Sequence, residues 1–283
     1  MLSPAIPANE AERLKALRDH YILDTAPEKP FDDLARLAAH ILDMPIALVS
    51  LIDDRRQWFK ARYGIEARET PRELSFCGHA VADGNVLIIT DTLHDVRFHD
   101  NPFVTGDPAV RSYCGMPLRT KTGEILGTLC AFSPVPQEPT AEQVALLDIL
   151  AQRVMTELDL RREVMLRRQL GAVVEQIGYF IVLADLDGRP TYFNAMARKW
   201  LGVDRGVTEP KHISAFHTGG SWRAVSESGI PSALQEGSWA GGMTFLKDGK
   251  EVAVDEMVLA RAATPTEPGF IALSARERGH AAL

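Results

Sequence analysis

One stretch near the middle of the chain constrains the fold most, because residues 141–170 contain neither glycine nor proline. Thr140 and Gln143, at its start, have the spacing of a capping box. Apolar residues and arginines then follow at alternating intervals of three and four, which is a heptad pattern. Its members are Val144, Leu147, Ala151, Val154, Leu158, Arg161, Met165, Arg168 and Ala172. The pattern predicts one long helix over residues 140–172.

This helix has two interpretations. Either it is an amphipathic helix packed on its own domain, or its apolar seam contacts a second copy of the chain. We favour the second interpretation for the part after Leu158, where the helix leaves the first domain. The sequence then predicts a homodimer with a signalling and dimerisation helix. The residues assigned to this signalling and dimerisation helix are Leu147, Ala151, Val154, Leu158 and Met165.

The segments before and after this helix differ in composition, which predicts two unlike domains. At roughly 150 residues per domain, the 283 residues suffice for about two. Residues 1–160 hold 16 basic against 24 acidic residues, and residues 161–283 hold 15 against 14.

The net charge of −7 argues against nucleic-acid binding. The longest apolar run has six residues, so we expect no membrane segment. Three cysteines without a paired motif indicate a reducing, cytoplasmic location.

Helical and extended patterns alternate on both sides of the central helix, which predicts an α+β fold. We predict two domains, over residues 1–160 and 173–277, each an antiparallel sheet with flanking helices, and a tail over 278–283. In the first domain the predicted helices are 10–20 and 31–42, and the strands 46–52, 57–62, 86–90, 112–119 and 124–132. In the second, five short strands (179–184, 191–194, 243–246, 251–259 and 270–274) enclose helices at 195–201 and 221–235, the latter starting afresh at Pro231.

Particular motifs resemble two known families. Residues 10–160 resemble a GAF domain of the bacterial sensor subgroup, in ILDTAPEKPFDDL, PIALVSLIDDRRQWFKARYG, ETPRELSFCGHAV, VLIITDTLHDVRFHDNPFV and LRTKTGEILGTLCAF. Residues 172–277 resemble a PAS domain, in FIVLADLDGRPTYFNAMARKWLG, SALQEGSWAG and KDGKEVAVDEMVLA. The helix between them is similar to the signalling helices that link sensor modules. The resemblance implies a cytosolic signal-transduction sensor that binds a small molecule or senses redox state, without enzymatic activity and with an unidentified cofactor or ligand.

Proteins with such modules usually continue into an output enzyme, whereas this chain ends in ARERGHAAL. We therefore expect that the output lies on another polypeptide, such as a kinase or cyclase, or that the sequence is a piece of a longer sensor. An alternative function is a dimeric interaction scaffold that recruits a separate histidine kinase or cyclase. A third is catalytic, because free methionine-(R)-sulfoxide reductases are GAF domains with three cysteines around the pocket. This chain has Cys77, Cys114 and Cys130, but residues 97–101, expected to hold the catalytic thiol, contain none.

The first group of candidate ligand residues centres on Cys77 and His79. Either the imidazole activates a redox-sensing thiol, or Cys77 is a small buried side chain at a helix start beside a hydrogen-bonded histidine. We favour the second interpretation and predict no metal site, because two ligands are too few for closed zinc coordination. Trp58, Phe76 and Tyr113 are predicted to wall an apolar pocket or to fill a core.

A second group is polar and follows the strand at 86–90. Arg97 and Arg111 could bind an anion, with Asp91 and Asn101 completing the rim. The alternative, which we favour, is loop structure, in which Asp100 or Asn101 caps the turn at Pro102 and Arg97 pairs with an acid.

The second domain offers fewer candidates. Asn194 has the position of a helix N-cap, and Trp239 begins a strand, where it either floors a ligand pocket or packs. His212 and His217 lie in a Gly/Ser-rich stretch and are predicted to be solvated loop residues rather than haem ligands.

Overall fold

The computed structural model describes residues 1–203, 210–247 and 249–279. It divides into two compact units, Met1–Leu166 and Arg167–Leu283. Each contains an antiparallel sheet with flanking helices, which confirms the predicted α+β class. Asp248 of the predicted hairpin and residues 280–283 of the predicted tail lie outside the described residues. Within the described ranges, no helix combines the length and hydropathy that a membrane crossing requires.

The first unit is built around a six-stranded sheet. Its helices are α1 (Glu10–Asp19), α2 (Lys29–Leu42), α3 (Phe76–Asp83), α4 (Pro102–Thr105) and the first part of α5 (Ala141–Gln176). Its strands are β1 (Ile46–Ile52), β2 (Arg56–Tyr63), β3 (Glu69–Pro71), β4 (Leu87–Ile89), β5 (Ser112–Arg119) and β6 (Ile125–Ser133). The strands lie in the order β3-β2-β1-β6-β5-β4, and all neighbours are antiparallel.

Both faces of this sheet are buried. On β1, Ala47, Val49 and Leu51 pack in the core formed with α2 and α5, whereas Leu48 and Ile52 pack in a second core with α3. This alternation follows from the two-residue period of a strand. Because helices cover both faces, the central strands are almost continuously apolar in sequence.

The predicted long helix is present as α5, and its capping box forms as predicted. The Thr140 hydroxyl accepts from the Gln143 amide, and the Gln143 side chain accepts from the Thr140 amide. For the first half of the helix the first interpretation applies, because this half covers the sheet of its own unit. The residues concerned, Leu147, Ala151, Val154 and Leu158, are all buried in the α2–α5 core. Beyond them, Met165 is half-buried, and Arg168 and Ala172 are exposed.

The second unit has a five-stranded sheet with helices inserted between its second and third strands, as predicted. Its strands are β7 (Phe180–Ala184), β8 (Pro190–Phe193), β9 (Ser238–Lys247), β10 (Lys250–Arg261) and β11 (Phe270–Glu277), in the order β8-β7-β11-β10-β9. Its helices are α6 (Ala195–Leu201), α7 (Gly219–Ala224) and α8 (Ile230–Glu236). Three strands are longer than predicted, because pairing of β10 with β9 and β11 extends past the apolar segments.

The connection from α7 to α8 differs from the prediction of a fresh start at Pro231. A π-helical segment, Val225–Gly229, carries the chain continuously from one helix into the next. Pro231 lies in the first turn of α8, where a helix tolerates the missing amide hydrogen of proline.

Candidate functional site: a cavity and a thiol pair in the first unit

A cavity of about 500 Å³ lies on the α3 face of the first sheet. Strands β1 and β2 form one wall, and the segments around Ile65 and Asp107 also line it. Its aromatic lining residues are Phe59, Phe76, Phe103 and Phe132, and its larger aliphatic ones are Ile46, Leu48, Ile65, Leu74 and Val110. A volume of this size and an apolar lining are typical of sites for small molecules.

Gln57 supplies an unusual polar group in this wall. The residue lies on β2, opposite Thr70 of β3, and only 4% of its surface is exposed. Its Oε1 atom is buried without a hydrogen-bond partner in the described part of the chain. A buried acceptor left in this state is costly. Gln57 was within the predicted strand but was not among the candidate residues.

The exposed charged residues of the cavity lining are acidic. Glu66 and Asp107 line the cavity, and both are exposed. Among the described lining residues there is no lysine, arginine or histidine. The electrostatic environment of the lining therefore favours a neutral or positively charged molecule over an anion.

Most of the predicted pocket residues lie elsewhere in the unit. Only Phe76 lines the cavity. Trp58 lies in the core on the opposite face of the sheet, because it alternates with Gln57 and Phe59 along β2. Tyr113 is fully buried, and its ring stacks on Phe76 behind the cavity wall, with centroids 5.4 Å apart. Trp58 and Tyr113 therefore fill cores, which is the second of the two interpretations, and do not line the cavity.

Cys77 is part of a buried cluster between α3 and the sheet. Its Sγ atom lies 3.5 Å from the Sγ of Cys130, and it accepts a hydrogen bond of 3.5 Å from the Tyr113 hydroxyl. Burial raises the pKa of the Cys77 thiol, but hydrogen bonds, led by the one from Cys130, outweigh burial and lower the pKa to about 7. Burial raises the pKa of Cys130 well above its usual range. The two thiols of the cluster thus differ in the direction in which their surroundings shift the pKa.

His79 takes another partner. Its Nε2 atom lies 3.1 Å from the Leu2 carbonyl oxygen, and its ring packs edge-on against Phe98. Burial lowers the pKa of His79, which favours the neutral ring. This matches the interpretation of a hydrogen-bonded histidine beside a buried cysteine.

The polar cluster after β4 folds its own loop. Arg111 donates to both oxygens of Asp91 at 3.0 and 2.9 Å, and Arg97 donates to both oxygens of Asp95 at 3.0 and 2.7 Å. The Asn101 side chain accepts from the Phe103 amide, which caps α4. The favoured loop interpretation is therefore correct, and the anion rim predicted from Asp91, Arg97, Asn101 and Arg111 does not line the cavity.

In the second unit, Asn194 has a structural role. Its Oδ1 accepts from the amides of Ile181 and Ala197, and its Nδ2 donates to the carbonyls of Val174 and Tyr179. The predicted N-cap is confirmed. These four bonds use the amide oxygen and nitrogen of Asn194 within the protein, so its role is structural. Trp239 lies at the start of β9, partly buried against the second unit's core.

The prediction of a solvated His217 is wrong. The ring is 4% exposed, because His217 bridges to Phe245 of β9 and packs on that aromatic side chain. Nδ1 bonds to the Ile213 carbonyl at 2.9 Å, and Nε2 lies 3.0 Å from a carboxylate oxygen of Glu256 on β10. His212, by contrast, is half-buried and caps the following turn. No group of three potential metal ligands occurs among the described residues.

Comparison with known proteins bears on the first unit. Residues 26–158, slightly under half of the chain, match the model of the GAF domain family. The match confirms the resemblance of this part of the chain and supports a sensory role in signal transduction.

Three individual proteins are similar to this chain. A cyclic di-GMP phosphodiesterase of Pseudomonas aeruginosa is 38% identical over 159 residues, which are 56% of this chain and 27% of that protein. The chain thus spans about a quarter of that relative's length. The GAF domain of an Acinetobacter phosphoenolpyruvate-protein phosphotransferase is 16% identical, with a TM-score of 0.41, over 54% of this chain and 96% of that one. A PAS domain from Colwellia psychrerythraea is 17% identical, with a TM-score of 0.36, over 40% of this chain and 96% of that one.

Proposed function

We propose that the GAF domain senses a small molecule bound in the α3-face cavity. The observation that carries this proposal is the cavity of about 500 Å³, whose lining is largely aromatic and aliphatic and includes the buried residue Gln57. A few polar groups in a mostly apolar pocket orient a ligand.

We propose that ligand binding in the cavity is transmitted along β2 to helix α5. Next to the cavity residue Phe59, Lys60 points to the other face of the sheet, and its side chain is fully buried. Its Nζ donates to the Glu28 carboxylate at 2.7 Å, and Arg161 of α5 donates to the same oxygen at 2.8 Å. A ligand that favours one position of β2 would thereby favour one position of α5.

We further propose that residues 173–277 are a PAS domain, that residues 140–172 are the signalling helix, and that the chain dimerises through the part after Leu158. The PAS proposal is supported by the FIVLADLDGRPTYFN and KDGKEVAVDEMVLA motifs and by five strands with helices inserted between the second and third. Met165 is the contact residue that remains available in the second half of α5.

The proposed output is an effector enzyme in the cytoplasm. The relative in Pseudomonas aeruginosa is named a cyclic di-GMP phosphodiesterase. The region of it that aligns with this chain is about a quarter of its length. We propose that the module regulates such an enzyme, or a separate kinase or cyclase, and has no enzymatic activity of its own. The reductase hypothesis is not carried forward, because Cys114 packs on the opposite face of the sheet from Cys77 and Cys130.

Native mass spectrometry of the full chain, incubated with a cell metabolite extract, tests the sensor proposal. We expect the unaltered protein to retain a small molecule, and Leu48→Phe, which fills the cavity, to lose it. Ile88→Phe, at an exposed position on β4, is the matched control and should retain it. A protein that stays free of small molecules in every extract would favour the interaction scaffold instead.

A second candidate function, redox sensing, is favoured by the 3.5 Å contact between the Cys77 and Cys130 sulfurs. Hydrogen peroxide would oxidise the two thiols to a disulfide and be reduced to two molecules of water. The sulfurs would have to approach to about 2 Å, the length of the bond. We expect peroxide to lower the mass of the intact chain by two hydrogens, and Cys130→Ser to abolish this loss. Cys114→Ser is the control, and an unchanged mass in the unaltered protein would contradict the proposal.

A further inference from the structure

We infer that His217 and Glu256 form a pH-sensitive lock in the second unit. The pair binds one proton in the folded chain, and loss of that proton releases residues 213–218 from the sheet. This lock lies in a different unit from the cavity and the thiol pair, and it needs no ligand. Three observations support it: the partners of both ring nitrogens, the burial of both side chains, and the attachment of the segment to strands β9 and β10.

The partners of the two ring nitrogens determine how many protons the pair holds. Nδ1 of His217 lies 2.9 Å from the Ile213 carbonyl oxygen, which can only accept a hydrogen bond, so Nδ1 carries a hydrogen. Nε2 lies 3.0 and 3.2 Å from the two carboxylate oxygens of Glu256. A hydrogen bond here needs one proton between them, whether as an imidazolium beside a carboxylate or as a neutral ring beside a carboxylic acid. The folded pair therefore binds one proton beyond the hydrogen on Nδ1.

Burial makes the other two protonation states of the pair costly. Both side chains are fully buried. The imidazole ring packs against Phe216, Trp222 and Phe245, with centroids 5.0, 5.7 and 4.6 Å away. Without the proton, the carboxylate faces the lone pair of a neutral ring, and with a second proton the imidazolium has no counter-charge. Either state leaves an uncompensated charge away from water, which strongly destabilises a fold.

The sheet presents uncharged residues to the pair. The residues opposite Glu256 are Gly241 on β9 and Ala275 on β11. The buried positions before and after it on β10 are valines. Farther along the same face, Lys247 and Glu277 pair with each other at 3.4 Å. No ion pair joins Glu256 to a sheet residue within the described ranges, so the proton of the pair is governed by the two partners themselves.

The segment and helices inserted between β8 and β9 place no further charge against the pair. His212 bonds through Nδ1 to the Ser214 hydroxyl at 2.8 Å. The other charged residues of this region are all exposed: Lys211, Arg223, Glu227 and Glu236. Solvent therefore screens them from the buried pair.

The pair attaches the segment before α7 to two strands. His217 forms an isolated bridge with Phe245 of β9, and the Thr218 amide donates to the Thr244 carbonyl at 3.1 Å. The ring of His217 in addition bonds to Glu256 of β10. When the proton leaves, the ring and the carboxylate no longer attract each other, so the segment loses its bond to β10.

The direction of the pH dependence follows from the protons bound in the folded and unfolded chains. In an unfolded chain a histidine loses its proton near pH 6.5, and a glutamate near about pH 4.3. Above about pH 6.5 the unfolded pair holds no proton and the folded pair holds one, so stability falls as the pH rises. Below about pH 4.3 the unfolded pair holds two, so stability falls as the pH falls. The contribution of the pair is therefore largest between these values.

Urea denaturation of the full chain between about pH 7 and pH 8.5 tests this lock. Three of the four tryptophans lie in the second unit, so Trp58→Phe leaves fluorescence from that unit alone. We expect the unfolding constant of this protein to rise about tenfold per pH unit, because one proton is released on unfolding. The second unit contains no cysteine, so no thiol contributes to this change.

Glu256→Gln, added to the Trp58→Phe chain, removes the need for the proton, because the glutamine amide donates to a neutral ring nitrogen. Its unfolding constant should stay the same over this range, and should instead rise as the pH falls below about 6.5, where the unfolded histidine takes up a proton. Glu251→Gln, at an exposed position on the same strand, is the control and should keep the alkaline rise.

Amide exchange of Thr218 in the unaltered chain reports on the segment itself. Once corrected for its intrinsic pH dependence, it should become about tenfold faster per pH unit over the same range. Thr218 exchange that stays constant while the unfolding constant rises would overturn the release of the segment.

Two results would overturn the proton assignment. One is an unfolding constant of the Trp58→Phe protein that does not change between about pH 7 and pH 8.5, because the folded pair would then hold no additional proton. The other is an alkaline rise that persists in Glu256→Gln, because the proton would then belong to another group. The first measurement leaves the pair intact, so it decides the question even if Glu256→Gln does not fold.

Discussion

At the scale of single residues, the first unit is stabilised by charged side chains held inside its apolar layers. Arg13 is 1% exposed and donates to both oxygens of Glu10 at 2.8 Å. Arg72 donates to the same carboxylate, so that one acid joins α1 to the loop before α3. Burial alone would raise the pKa of Glu10, but the two guanidinium groups outweigh it and lower the pKa to about 2. The ionised carboxylate is therefore the form that the fold requires.

Glu10→Gln should lower the free energy of unfolding by about 2 kcal/mol at pH 7, because two buried guanidinium groups lose their counter-charge. The pKa of Glu10 is lower in the folded state, so its contribution is present above pH 4.5 and is lost as the pH falls toward 2. Urea denaturation at pH 7 and pH 3 should show a smaller acid loss in the variant. Glu12→Gln, exposed on the same helix, is the control; an equal acid loss in all three proteins would exclude this role.

At the scale of secondary-structure elements, hydrogen bonds to one carboxylate connect β2 to α5 in addition to apolar packing. Glu28 stands between the two elements and accepts from Lys60 and from Arg161. Burial lowers the pKa of Lys60, and the Glu28 carboxylate opposes that effect. Arg161 also donates to the Tyr21 carbonyl at 2.6 Å. The heptad pattern placed this arginine in the seam, and the structure gives it partners within its own unit.

Glu28→Gln should loosen α5 where it leaves the sheet, because it removes the negative charge shared by Lys60 and Arg161. We expect a loss of about 2 kcal/mol in unfolding free energy and faster amide hydrogen exchange over residues 155–165 than in the unaltered protein. Asp33→Asn, which breaks a surface pair with Lys29 on α2, should change neither measurement. Unchanged exchange in Glu28→Gln would exclude this network from the proposed relay.

At the scale of the whole molecule, α5 belongs to both units, and its two halves have different surroundings. Leu158 is fully buried in the core of the first unit. Met165 lies close to the division of the units and is half-buried, and the positions that follow along the predicted seam are exposed. We therefore expect substitutions in the first half of α5 to change the stability of the first unit, and substitutions in the second half to change association of the chain.

Met165→Asp should dissociate the proposed dimer in sedimentation experiments without changing the stability of the first unit, because a charge in a coiled-coil seam opposes association. Leu158→Ala should do the opposite and lower the unit's free energy of unfolding by about 3 kcal/mol, since it leaves a cavity in the core. The two variants control for each other. A chain that is monomeric before substitution would contradict the dimer proposal.

Local patterns in the sequence predicted the elements of this protein well. Periodicity and capping residues predicted α5, α6 and β5 closely, and Asn194 and the pair Thr140 and Gln143 form the caps expected of them. These features could be read from the sequence because their interactions join residues only a few positions apart. The favoured loop interpretation around Arg97 is correct for the same reason, since its partner is Asp95.

Only the tertiary structure decided which side chains face a cavity and which face a core. Trp58 and Phe59 are adjacent in sequence, yet they lie on opposite faces of the sheet, each buried by elements far away along the chain. His217 is buried between Phe245 of β9 and Glu256 of β10, and the Oε1 of Gln57 has no partner among the described residues. Hydrogen bonds and burial of this kind depend on long-range packing, so no local pattern in the sequence encodes them.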